Sequence, residues 1–256
     1  MASGSYIVGL KIEPTGEFSM SKLPETLYLP EQKEMSKILI WGKSPELAQK
    51  DIEAGMARLG GFRTPSYEHA YVLAANTLLR TATEERTLDH HSLPIFFLQR
   101  HATELLIKKP LELGILIQKY REDFGRERPV FPSGQLKEPV TKCHDLQLLY
   151  QELKAMVSAF QLSPLPIELE KLVDQLVAIE DHHTWARYSY RHFKNEAIVH
   201  INKEVTIPLR DIQEHLQAAA DALGEIYPED DRLNGVLSSI FGEFWAIEGA
   251  MMDEEP

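Results

Sequence analysis

The chain has a single cysteine, Cys143, among 256 residues. One thiol excludes an intramolecular disulfide framework and any cysteine-rich zinc module. Beside His144 it reads as a small buried hydrophobe rather than a nucleophile. The longest charge-free apolar run, Leu93 to Leu98, falls far short of the roughly 20 residues that span a bilayer. Lys11, Glu13 and Glu17 interrupt any apolar signal core near the start. There is no glycine-rich phosphate loop and no nucleophile elbow. These absences set the expectation of a soluble, cytoplasmic protein without a membrane partner.

What is present is ordinary for a globular chain: 43% hydrophobic and 26% charged residues, a balance that excludes wholesale disorder. A chain of this length buries about 75% of its unfolded surface, so an adequate core is expected. The net charge is −12, but it is unevenly placed. Residues 225–256 hold nine acids and one base, Arg232, which leaves −4 for the first 224 residues. Between Trp185 and Lys203 the balance reverses, with Arg187, Arg191, Lys194 and Lys203 against Glu196. Distant charges are screened beyond about 10 Å at 0.1 M salt, so an acidic protein can still carry a locally basic site.

Residues 1–40 form an N-terminal β-prone or irregular segment. Tyr6 to Ile12 favours a strand, and prolines at 14, 24 and 30 block a long helix. From about residue 41 to 256 helices dominate. Ser44-Pro45-Glu46 reads as an N-cap, a proline at the first helical position and an acid in the first turn. Leu47, Ile52, Met56 and Leu59 then suggest a buried stripe that Gly60-Gly61 stops. Thr64-Pro65 opens a second helix to about Thr87, with Tyr67, Tyr71, Ala74, Ala75 and Leu78 facing inward. A third, Ile95 to Lys109, is kinked or restarted at Pro110, and a fourth stretch reaches about Phe124. The proline-rich segment 125–140 is irregular. Thr141 caps a fifth helix to about Gln161, and a sixth spans Ile167 to Ile179. The segment 185–202 reads as a β-hairpin turning near Lys194-Asn195-Glu196. Leu209, Ile212, Leu216, Ala219, Leu223 and Ile226 then mark an amphipathic helix, and a last one covers about Asp230 to Gly249. The class is mostly α, a helical bundle with one small hairpin.

Three groups of residues carry candidate chemistry. Arg100, Glu104 and Lys108 follow one another at i, i+4 and i+8, a charged stripe along one helix face. Either it is an exposed ion-pair ladder, or it is buried and requires partners from another element. Phe96, Phe97 and Leu98 just upstream favour burial. His144 and Asp145 sit at a helix start, where Asp145 suits the macrodipole and His144 can turn toward the Arg100 stripe. Arg187 and His192 lie five positions apart. A neutral imidazole can take the proton of a ribose 2′-hydroxyl, and a guanidinium can hold the phosphate under attack. Such a pair cleaves RNA without metal, giving a 2′,3′-cyclic phosphate and a 5′-hydroxyl. On a helix the two residues diverge by roughly 140°, and on a strand they face opposite sides. A working pair needs a bend, a loop or two subunits.

In this order the three groups resemble the HEPN superfamily, helical-bundle domains of bacterial toxins and defence proteins. The stretch Pro94-Ile-Phe-Phe-Leu-Gln-Arg100-His101-Ala-Thr-Glu104-Leu105-Leu-Ile-Lys108 is similar to the arginine-histidine, glutamate-leucine, lysine helix of one poorly characterised branch. His144-Asp145-Leu146 and Arg187-Tyr188 follow in the expected order, and the likeness covers roughly residues 90–227. The resemblance implies a metal-independent endoribonuclease assembled as a homodimer, with Arg187 binding phosphate and His192 as general base. Arg100, Glu104, Lys108, His144, Asp145, Tyr188 and Arg191 are then supporting or binding residues, and no cofactor is expected.

Two other readings stand beside it. An immunity or antitoxin-like interaction protein would bind a basic partner through the acidic residues 225–256. The triplets Asp89-His90-His91 and Asp181-His182-His183 carry ligand types for a metal, but lack the i, i+4 histidine spacing of a helical zinc motif, and no metal is expected.

Overall fold

The computed structural model describes residues 44–57, 67–125, 140–180, 185–186, 190–193, 196–224 and 231–253, with only the backbone described at 190–193 and 245–253. The chain divides into two compact units, Met1–Pro65 and Ser66–Pro256. The β-prone Tyr6–Ile12 stretch, most of the 125–140 segment and Ile226 lie outside the described residues.

In the first unit, helix α1 (Pro45–Glu53) starts where the sequence indicates. The Ser44 hydroxyl accepts from the Leu47 amide at 3.2 Å, and Pro45 opens the helix. It ends earlier than the apolar spacing suggests. Gly55 takes φ +64°, its amide donates to Ile52 and that of Met56 to Asp51, the paired bonds of a left-handed glycine stop. The expected buried stripe is therefore corrected: Ile52 is 69% and Met56 56% exposed, while Ala48 and Asp51 are buried.

The second unit is built on α3 (Leu88–Asp123), one continuous 36-residue helix. Both Pro94 and Pro110 lie inside it, so Pro110 does not restart a helix. Packing overrides the local preference: Leu106, Ile107 and Leu111 around this proline are fully buried. Helix α2 (Tyr67–Glu84) lies along α3 and turns Val72, Ala75, Leu79 and Ala82 inward. The expected stripe was displaced by about one residue: Tyr67 and Ala74 are exposed, and Tyr71 and Leu78 only half-buried. The adjacent leucines 78 and 79 fit either stripe, and only packing chooses between them. The buried Glu68 carboxylate pairs with Lys109 and joins α2 to α3.

A single 3₁₀ turn (Val140–Lys142) precedes α4 (Leu146–Ala159). The cap of α4 is Asp145, whose Oδ1 accepts from the Leu148 amide at 3.0 Å, and not Thr141. Helix α5 (Ile167–Ile179) has the expected bounds, set by Pro166 before it. The hairpin is shorter than the expected 185–202: strands β1 (Tyr190–Phe193) and β2 (Glu196–Val199) pair antiparallel, with Phe193 opposite Glu196, while Trp185 and Ala186 lie in a turn. Helix α6 (Leu209–Leu223) buries Leu209, Ile212, Leu216, Ala219 and Leu223 as its spacing indicates. Helix α7 (Leu233–Asp253) packs on α3, where Phe241 and Phe244 meet Tyr120. The fold is thus mostly helical, a bundle around α3.

A polar relay crosses this bundle. Gln99 Nε2 on α3 donates to the Leu209 carbonyl at 2.8 Å and to Gln213 Oε1 at 3.2 Å. Gln213 Nε2 in turn donates to the Val72 carbonyl of α2 at 3.3 Å.

The cap assignment is open to a direct test. Asp145→Ala should lower stability by about 1 kcal/mol, whereas Thr141→Ala should change it by less than about 0.5 kcal/mol. Urea midpoints at unchanged m-value would read both.

Candidate functional site

The charged stripe of α3 is buried. Arg100, Glu104 and Lys108 are 4%, 3% and 6% exposed, so the exposed-ladder alternative is excluded. Four residues further toward the helix start, Phe96 continues the same face and meets the buried Trp185 ring edge-on at 5.1 Å between centroids.

Each charge on this face is met by a partner from another element. Arg100 Nε donates to Glu180 Oε2 at 2.7 Å, one η nitrogen to Glu104 Oε2 at 2.7 Å, and the other to the His144 carbonyl at 2.6 Å. Lys108 Nζ donates to Glu104 Oε1 at 2.7 Å and to the Thr141 carbonyl at 3.3 Å. His144 Nδ1 lies 2.9 Å from the same Oε1. Glu104 is therefore the centre, with Lys108 and His144 on one oxygen and Arg100 on the other. The charges close on themselves: two carboxylates meet one guanidinium and one ammonium.

The energetics follow from this sharing. Burial opposes ionisation of Glu104, but the hydrogen-bonded Lys108 and Arg100 outweigh it and hold the carboxyl at about 2, against an ordinary 4.5. That depression corresponds to roughly 3 kcal/mol of differential stabilisation. Arg100 is also disfavoured by burial, yet Glu180 and Glu104 together raise its pKa. Glu180 goes the other way. Burial, with Glu104 and Asp145 nearby, pushes its pKa up despite the Arg100 hydrogen bond. Two carboxylates share one guanidinium, and the one without the lysine loses.

Because Glu104 is ionised, it cannot donate, so the hydrogen between it and His144 belongs to Nδ1. The tautomer of a half-exposed imidazole is thereby fixed from inside the bundle. The sequence pointed to His144 turning toward the stripe, and it does. It gave no indication of Glu180, which stands between α5 and the Asp181-His182-His183 triplet; only a stated need for a second anion partner to Arg100 could have flagged it. Asp145 caps α4 and is exposed. His101 is held between rings, stacked on Phe97 at 5.7 Å and edge-on to Tyr71 at 4.5 Å. Cys143 is buried and its thiol pKa is raised, chiefly by that burial, which disfavours the thiolate.

Arg187 and Tyr188 lie outside the described residues. Arg191 and His192 lie on β1, opposite Ile198 and Ala197, with their side chains outside the description. The structure thus brings Arg100, Glu104, Lys108 and His144 together, with Asp145 next in the chain. Among the described residues no group of three histidine, cysteine, aspartate or glutamate side chains is arranged to hold a metal ion; Asp181-His182-His183 is outside them. Among them, too, no helix is long and apolar enough to cross a membrane. No family model matches the chain, and neither a curated protein nor a solved structure matches it.

Removing the central carboxylate leaves two buried cations short of an anion, so Glu104→Gln should cost about 3–5 kcal/mol at neutral pH. Glu180→Gln should cost less, because that carboxyl is already disfavoured as an anion. The sign of the pH dependence follows. With its folded pKa depressed, Glu104 contributes stability above about pH 4.5, lost as pH falls toward 2. Urea unfolding against pH should therefore show the gap between wild type and Glu104→Gln closing on acidification. A gap that stayed constant would contradict the depressed carboxyl.

Proposed function

We propose that this chain is an HEPN-like protein of a defence or toxin–antitoxin type that cleaves RNA without a metal through Arg187 and His192. The observation that supports this reading is how the approach to that segment is held. Glu180, at the end of α5, is clamped by Arg100 at 2.7 Å, and Trp185 is seated on Phe96. Both anchors sit on one face of α3, the face carrying the arginine, glutamate and lysine that motivate the family resemblance. The cluster's part is then to position a segment, since Arg100 and Lys108 are occupied by carboxylates and backbone carbonyls.

The chemistry has a simple balance. Neutral His192 takes the 2′-hydroxyl proton, and the 2′-oxygen attacks the neighbouring phosphorus. Arg187 stabilises the charge that builds on the phosphate oxygens. The bond to the 5′-oxygen breaks, and that oxygen leaves as a hydroxyl with a proton from solvent. By the resemblance, Arg187 and His192 act across a homodimer interface, in the cytoplasm.

Purified protein should convert total or transfer RNA to fragments with 2′,3′-cyclic phosphate ends, equally in EDTA. Arg187→Ala or His192→Ala should lower the rate by about 10²-fold or more. Intact RNA with folded wild-type protein would remove the enzymatic reading. A second reading, an antitoxin-like module binding a basic partner through residues 225–256, is favoured by the exposure of Asp231 and Glu243 on the described part of that region. It predicts co-purification of a basic protein, abolished by neutralising the acids of 225–256.

A further inference from the structure

A groove runs over the surface where α2, the start of α3 and the entry to α6 meet, on a part of the second unit distinct from the charge cluster. Its larger part encloses about 840 Å³ and its smaller about 410 Å³. The two adjoin, sharing Leu79, Thr83 and Arg210 as lining. Along α2 the smaller part extends from Asn76 to Glu84, about 12 Å of helix. The chain itself supplies an apolar bed: Leu79, Ile207 and Leu209 below, with Leu88 and Val205 at 37% and 43% exposure above.

The walls carry one dominant sign. Asp89, Glu204 and Asp211 line the larger part against Arg210 alone. In the smaller part Glu84 and Glu214 stand against Arg80 and the shared Arg210, and Arg80 is engaged by Glu84 at 3.1 Å. All five carboxylates are exposed. An anionic rim of this kind repels a phosphate backbone and attracts a cationic ligand. An apolar floor with charged walls, running along a helix, selects a partner that presents aliphatic side chains on one side and positive charge on the flanks.

We infer that this groove between α2, α3 and α6 docks a basic amphipathic helical segment of a partner protein. Aliphatic side chains of that segment cover Leu88 and Val205, while its lysines or arginines meet Asp89, Glu204 and Asp211. The inference does not rest on the ribonuclease reading and concerns a surface other than residues 225–256.

Fluorescence anisotropy of the full chain with a labelled Leu/Lys amphipathic helical peptide tests it. The peptide should bind, and a Leu/Glu peptide of the same pattern should not. Reversing the rim with Asp89→Lys and Glu204→Lys should weaken binding by about tenfold or more, whereas Asp123→Lys with Asp174→Lys, an equal charge change on exposed sites elsewhere, should alter it by less than about twofold. Val205→Ser should weaken binding with no charge change, which separates docking from general attraction to an acidic protein. All these sites are exposed, and unchanged thermal unfolding would verify each variant's fold. Absence of binding by the basic peptide, or equal weakening by the rim and control pairs, would overturn the inference.

Discussion

One carboxylate governs the architecture of the second unit. Glu104 lies in the interior of a helix that is itself the hub of the bundle, and three donors converge on its two oxygens. Taking charged groups out of water is costly, and the cost is offset only when every charge finds a counter-charge and every donor an acceptor. Backbone supplies part of the second condition: the carbonyls of Thr141 and His144 accept from Lys108 and Arg100. That demand fixes where the 140–145 segment passes, and hence where α4 begins. The Asp145 cap then sets the direction in which α4 leaves.

The same constraint reaches α5 through Glu180. This residue is less comfortable as an anion than Glu104, so the cluster is asymmetric, with a firmly ionised centre and a more reluctant periphery. The clamp at the end of α5 and the aromatic seat of Trp185 bracket the four residues between them. Whatever follows toward the hairpin sets out from two fixed points on α3. Two strands of four residues each are marginal as an isolated ribbon.

Legibility from the sequence varied with the kind of signal. The stripe of α6 was readable because its apolar residues recur at helical spacing with polar residues between them, and Pro166 fixed the start of α5. The hairpin is readable from its β-prone aromatics and a turn signal near Lys194-Asn195-Glu196, although Glu196 itself belongs to β2. Doublets such as Leu78-Leu79 were ambiguous by one residue. Gly55 ends α1 ahead of the Gly60-Gly61 pair, because a single glycine able to take φ +64° suffices for the stop. A restart at Pro110 does not occur, because local preference gives way when the flanking residues are wholly buried. At the candidate site, spacing placed Arg100, Glu104 and Lys108 on one face, and the upstream phenylalanines hinted that the face was inward. The partners were a different matter. Glu180 is 80 positions from Arg100, and a backbone carbonyl carries no side-chain signature, so pairings of that kind emerge only from the folded chain.

The glutamine relay between α3, α6 and α2 has its own implication. Aliphatic surfaces tolerate sliding, since one methyl group replaces another at little loss. Amides do not, because each nitrogen must meet an oxygen at the right height. Shifting α6 by a single turn would unmate Gln213 from Gln99 and from Val72 at once, leaving polar atoms stranded among hydrocarbon. The three helices are therefore keyed like a lock with one depth of cut, and near-miss packings of the same greasy faces are sorted out by hydrogen bonds rather than by shape.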